Sequence, residues 1–210
     1  MLTLRARDTR TTRARDTRTT LRSRPSRRSY HRALLEAFEP RLLLSAIPTT
    51  LHETDIGSVG FAGSSDYTAS TQSFAITGSG SWIWYGNDNL HYVYQQLIGD
   101  GSVTARITDP GAGNPSWVSP KSGIMIRQNL ADSAAEASLL QTPNGNTAFQ
   151  YRDQGAWSSS STAGSNYSGP VYLKLTKAGD TITSYTSSDG ATWTTVASQT
   201  LHFVGAFFVG

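Results

Sequence analysis

The chain has 210 residues, a net charge of +3, five tryptophans, nine tyrosines, seven phenylalanines, nineteen glycines and no cysteine. That length supports one good core, and the missing cysteine excludes disulfides, thiolate zinc sites and cysteine nucleophiles. The net charge conceals a split, +8 over residues 1–46 and −5 over residues 47–210, so the folded part is mildly acidic and a basic surface for nucleic acid is not supported.

The first 50 residues read as a disordered basic leader. The octapeptide Arg-Ala-Arg-Asp-Thr-Arg-Thr-Thr stands twice in tandem, at 5–12 and 13–20, and Arg22, Arg24, Arg27 and Arg28 extend the run. So few apolar residues cannot offset the entropy of ordering. Its functional reading is a basic arm for nucleic acid or anionic lipid. The blander readings, a solvated leader ahead of an export signal or an over-called start in a repetitive stretch, are favoured because charge runs are generally solvated tails. Residues 31–38 could form a turn or two of amphipathic helix with Leu34, Leu35 and Phe38 on one side, stopped by Pro40. Leu42-Leu43-Leu44 is shorter than the core of an ordinary secretion signal. No run approaches the roughly 18 apolar residues of a membrane-spanning helix.

From Leu51 the pattern becomes that of strands and turns. Asp55–Gly60 is a turn-rich lead-in, and Gln72–Thr77 and Ser81–Tyr85 are expected strands, with Gly86–Asn89 a loop. Leu90–Thr108 reads as a β-hairpin: Tyr92 and Tyr94 share one face, His91 and Val93 the other, and Gly99-Asp100-Gly101 makes the turn. Asp109–Pro120, with Trp117, is a long loop. In the strand Ser122–Asn129, Ile124 and Ile126 face one way, Met125 and Arg127 the other. Glu136–Thr142 and Thr147–Asp153 pair around Pro143-Asn144-Gly145-Asn146. Ser158–Gly169 reads as a mobile Ser/Gly loop. Val171–Lys177, Thr181–Ser187 and Ala191–Ser198 form a meander, and the strand Phe203–Val209 ends the sequence as if in a segment of something longer. About ten short strands and no globular-size helix predict an all-β antiparallel sandwich or barrel.

Two resemblances sharpen this. Leu35-Glu-Ala-Phe-Glu-Pro-Arg-Leu-Leu-Leu-Ser45 resembles the LEPR-XLL motif near the N-termini of large bacterial surface and exported proteins, with Phe38 where the motif has Leu. It implies export to the cell surface or beyond, for a leader spanning 1–50 with the motif at 35–46. The second is carried by Asp55-Ile-Gly-Ser-Val-Gly, His91-Tyr-Val-Tyr-Gln, Gly99-Asp-Gly-Ser-Val-Thr-Ala-Arg, Ser122-Gly-Ile-Met-Ile-Arg, Phe149-Gln-Tyr-Arg, Tyr172-Leu-Lys-Leu and Ser188-Asp-Gly-Ala-Thr-Trp. Together these resemble concanavalin A-like modules of the DUF1349 type, close to the C-terminal module of some β-xylosidases. The resemblance implies a concanavalin A-like β-sandwich (jelly roll) over residues 51–210, a fold that hosts lectins, hydrolases and structural spacers alike.

The chemistry narrows these classes. Glycoside hydrolysis usually needs two carboxylates about 5–9.5 Å apart. The domain has two glutamates, Glu53 and Glu136, neither in an acidic cluster, and Asp100, Asp180 and Asp189 fall at turns. Ser188–Trp193 resembles a sialidase Asp-box, but it is one residue short and occurs once where a propeller would repeat it. The turn reading stands, with Asp189 bonding backbone and Trp193 packing across the hairpin. His31, His52, His91 and His202 lack metal-ligand spacing, and His91 reads as a packed or surface strand residue. Asn87-Asp88-Asn89 could offer oxygens to Ca²⁺, but with one carboxylate no cofactor is expected.

Alternation turns Arg106, Arg127 and Arg152 away from apolar neighbours, toward the outer face of one sheet, with Trp84, Tyr85 and Trp117 at loops nearby. Aromatic faces stack on sugar rings and Arg donors bond hydroxyls. The expected function is a non-catalytic, glycan-binding or adhesive module of an exported surface protein. The alternatives are a hydrolase or its accessory domain, and a spacer.

Overall fold

The computed structural model describes residues 2–4, 50–111, 120–156 and 158–210. Residues 5–49 of the basic leader, with its LEPR-XLL-like stretch, and Trp117 and most of the loop 109–120 lie outside the described residues. The strands are β1 (Leu2–Leu4), β2 (His52–Ile56), β3 (Ser64–Thr68), β4 (Ser73–Thr77), β5 (Leu90–Ile98), β6 (Gly101–Ile107), β7 (Ser122–Arg127), β8 (Glu136–Gln141), β9 (Asn146–Arg152), β10 (Ser160–Asn166), β11 (Val171–Ala178), β12 (Thr181–Ser187), β13 (Thr194–Thr200) and β14 (Ala206–Val209). There is no helix among the described residues, hence none long and apolar enough to cross a membrane.

The fold is an all-β antiparallel sandwich. A five-stranded sheet runs β1-β6-β11-β12-β13, a seven-stranded sheet runs β10-β9-β8-β7-β14-β5-β2, and β3-β4 form a separate pair. Alternation assigns the faces. In β11, Val171, Leu173 and Leu175 are buried while Tyr172, Lys174 and Thr176 are half-exposed. These side chains, with Val103 and Ile182, meet Ile124, Ile126, Leu139, Phe149, Phe207 and Val209 of the opposite sheet in one core. Each such side chain contributes roughly 1.5–3 kcal/mol by leaving water. The β8–β9 hairpin turns at Gly145 (φ 79°), whose Cβ position lies 1.9 Å from the Tyr167 carbonyl oxygen, so only glycine fits.

Four expectations are corrected. The hairpin Leu90–Thr108 is not one: β5 pairs with β2 and β14, and β6 with β1 and β11. The Gly99–Gly101 turn instead carries the chain from one sheet to the other, and Asp100 accepts the Gly179 N–H at 2.7 Å. Alternation and turn glycines describe a strand–turn–strand unit without naming its partners. Ser81–Tyr85 is a loop, because Tyr85 sits at φ 57°, outside extended backbone. Ser160–Asn166, expected within a mobile loop, is an edge strand on β9; its polar composition suits an edge that must not recruit another chain. Finally, Leu2–Leu4, expected to stay outside the fold with the leader, pairs with β6.

A second apolar layer lies on the far side of the seven-stranded sheet. Ile56, Tyr92 and Met125 are buried there, joined by Ile83, Leu90, Tyr94, Leu130 and Phe208. Tyr92 and Tyr94 stack at 5.4 Å between ring centres, and the Tyr92 hydroxyl donates to the Met125 carbonyl at 3.0 Å. Both faces of this sheet are therefore covered at its centre, which is why β8 is buried along its whole length.

Candidate functional site

The site grows from the covered outer face of the seven-stranded sheet. The ladders set Glu136 opposite Arg127 on β7 and opposite Arg152 on β9, so the three form a row across adjacent strands. The arginines do point away from the sandwich core. They are nonetheless fully buried, at 0 and 1 % exposure, because two loops close over them.

Asp88 is the residue that brings this about. Its carboxylate accepts two hydrogen bonds from Arg152, at 2.9 Å to Oδ1 and 2.6 Å to Oδ2, and Arg127 Nη2 lies 3.4 Å from Oδ2. The fork-on-carboxylate geometry is the strongest form such a pair takes. The remaining guanidinium donors hold the second loop: Arg127 donates to the carbonyls of Asn129 and Ala131, Arg152 to those of Asp132 and Ala134. The two loops are tied together where the Asp88 N–H donates to the Asp132 carbonyl at 2.9 Å. Gly57 (φ 67°) leaves room for this, since a Cβ there would lie 2.1 Å from the Asp88 carbonyl oxygen.

The clamped loop 81–89 displays aromatic rings. Trp82 is 58 % and Tyr85 59 % exposed, and Trp84 packs edge-on against Tyr85 at 6.1 Å. Asn89 closes the loop on itself: its N–H donates to the Trp82 carbonyl at 2.8 Å and its side chain accepts the Ser58 N–H at 2.6 Å. Tyr85 is held in the left-handed region at φ 57°, a conformation that costs a non-glycine residue about 1 kcal/mol or more.

Of the residues expected to form the site, Arg127 and Arg152 come together, with Trp84 and Tyr85 on the loop they anchor. Arg106 does not join them. It lies on the five-stranded sheet, exposed, 5.6 Å from the ring centre of Tyr172. The shared outer face of three arginines is thus corrected to a buried pair and a distant single residue. Asp88, read as a loop residue, is the missing partner; its signal was a lone carboxylate among turn residues in a chain with two unassigned strand arginines. Trp82 was visible in the sequence, but the strand reading of 81–85 concealed its exposure. No cluster of His, Asp and Glu that could hold a metal ion occurs among the described residues.

No family model matches the chain, and no curated protein matches it. Among solved structures, a functionally unknown protein from Saccharomyces cerevisiae is similar at TM-score 0.44 and 17 % identity, over 57 % of this chain and 62 % of that one. The chain thus spans less than two thirds of that protein.

Proposed function

We propose that this chain is a glycan-binding β-sandwich module, of the concanavalin A-like jelly-roll kind, belonging to an exported protein. The observation that carries the reading is the clamped aromatic loop, with Trp82 and Tyr85 more than half exposed above a buried Arg–Asp anchor. Large apolar rings grouped in water mark a contact surface. A loop already fixed loses little entropy on binding. Indole and phenol faces stack on the C–H face of a sugar ring, and Asn87 and Ser81, exposed beside them, can exchange hydrogen bonds with hydroxyls. The LEPR-XLL-like stretch supports the exported setting.

A glycan array probed with the full chain tests this. A defined set of polysaccharides should bind, and Trp82→Ala or Tyr85→Ala should each weaken binding by about 1–2 kcal/mol with an unchanged melting temperature. Binding that is absent, or indifferent to both substitutions, overturns the reading in favour of a spacer.

A further inference from the structure

On the opposite side of β5 from the tyrosines, three elements bring a serine, a histidine and an aspartate into line. Asp55 and His91 face each other across the β2–β5 ladder, and His91 Nδ1 lies 2.8 Å from Asp55 Oδ1. On the other side of the ring, His91 Nε2 lies 3.0 Å from the Ser65 hydroxyl on β3. We propose that Ser65 is the nucleophile of a hydrolytic site for small acyl esters, with His91 as its base and Asp55 as the residue that positions His91.

The surroundings favour this assignment. Asp55 is fixed independently, accepting the Gly63 N–H at 3.2 and 3.1 Å on its two oxygens. The bonds from His91 and Gly63 hold its carboxyl below the usual range. A carboxylate only accepts, so the proton of a neutral imidazole resides on Nδ1 and the Nε2 lone pair faces the Ser65 O–H. The imidazole cannot swing away. Its side chain is 4 % exposed, and a Cβ on Gly63 would lie 2.2 Å from Nδ1 and one on Gly78 3.1 Å from the His91 Cβ. The two glycines leave the space that the ring fills. Ser65 itself is only half-buried. Glu53 Oε2 also lies 3.3 Å from Nε2. Its exposed carboxylate, an acceptor only, cannot bond the Nε2 lone pair; it accepts from Nε2–H once the Ser65 proton has been taken and so stabilises the imidazolium.

The reaction balances without a co-reactant beyond water. Ser65 Oγ bonds to the ester carbonyl carbon as its proton passes to His91 Nε2. Collapse of the tetrahedral adduct breaks the bond to the alcohol oxygen, which leaves with that proton. Water then repeats the sequence on the acyl-serine, releasing the acid and restoring Ser65. The Gly63 N–H, close to Ser65 in the chain, is committed to Asp55, so support for the developing oxyanion is weak. Labile esters are therefore the substrates rather than amides. Ile76, directly opposite Ser65 across the hairpin and 54 % exposed, offers an apolar wall for a short acyl chain.

The test uses the full wild-type chain. A fluorophosphonate probe should form one adduct, on Ser65, located by peptide mass spectrometry. The chain should also hydrolyse p-nitrophenyl acetate, with turnover falling at least ~100-fold in Ser65→Ala at unchanged circular dichroism. In Asp55→Asn the pH profile of adduct formation should move, which loss of a purely structural bond would not cause. No adduct on Ser65, adducts spread over several serines, or turnover that survives Ser65→Ala overturns the proposal.

Discussion

Glu136 sits mid-row between two arginines, yet both its carboxylate oxygens are buried without a hydrogen-bond partner. The arginines spend their donors on Asp88 and on loop carbonyls. Burial, and then the charge of Asp88, push the Glu136 carboxyl up to about 8 from an ordinary 4.5. The folded state therefore holds this proton more tightly than the unfolded chain. The resulting stabilisation is full below about pH 4.5 and is lost as pH rises through about 8. Replacing Glu136 by Gln should flatten that dependence. Thermal melts at pH 5, 7 and 9 should show the wild type losing stability relative to Glu136→Gln as pH rises, on the order of a few kcal/mol in all. Asp55, Asp153 and Asp189 work in the opposite sense. Their depressed values contribute stability that disappears as pH falls below the ordinary carboxylate range. Asp189 owes its shift chiefly to the N–H groups of Thr192 and Ala191, which it accepts at 2.7 and 2.8 Å, as a turn aspartate should.

The loop 81–89 is an element without regular hydrogen bonding, and its order depends on one buried carboxylate. Asp88→Asn keeps the shape but leaves Arg152, and in part Arg127, without a compensating charge. Breaking such a pair from one side costs about 3–5 kcal/mol, which urea denaturation would read. Limited proteolysis should then cut near Trp82–Gly86 before the sandwich unfolds. This element also shows where sequence reasoning reached and where it stopped. The β8–β9 hairpin and the β11–β13 meander were legible because local turns join strands that do pair. The outward direction of Arg127 and Arg152 was legible from alternation. Their burial was not, since a period of two assigns a side chain to a face without saying what lies upon it. The alignment of Ser65, His91 and Asp55 was equally hidden, because β3 reads as polar turn sequence and Asp55 meets His91 only through β2–β5 pairing.

Across the molecule, the sequence's local grammar predicted a sandwich while its connectivity had to come from the ladders. β1 contributes three residues to the edge of the five-stranded sheet. Residues 51–210 alone should therefore melt within about 3 °C of the full chain by differential scanning calorimetry, the shift expected for roughly 1 kcal/mol at this size. The seven-stranded sheet is built in a different temporal sense. β14, at residues 206–209, bonds to β5 on one side and β7 on the other, and the Gly210 N–H and carbonyl exchange hydrogen bonds with Met125 at 3.0 and 2.7 Å. On a ribosome, β2–β5 and β7–β10 are finished well before the strand that joins them emerges. Until then each half presents a bare strand edge and a share of the apolar core, the condition under which nascent chains associate wrongly. Closure is a long-range event that local turns cannot hasten. The last of these strands to emerge thus acts as a latch on the sheet, and the two halves can join only once residues 206–210 are available.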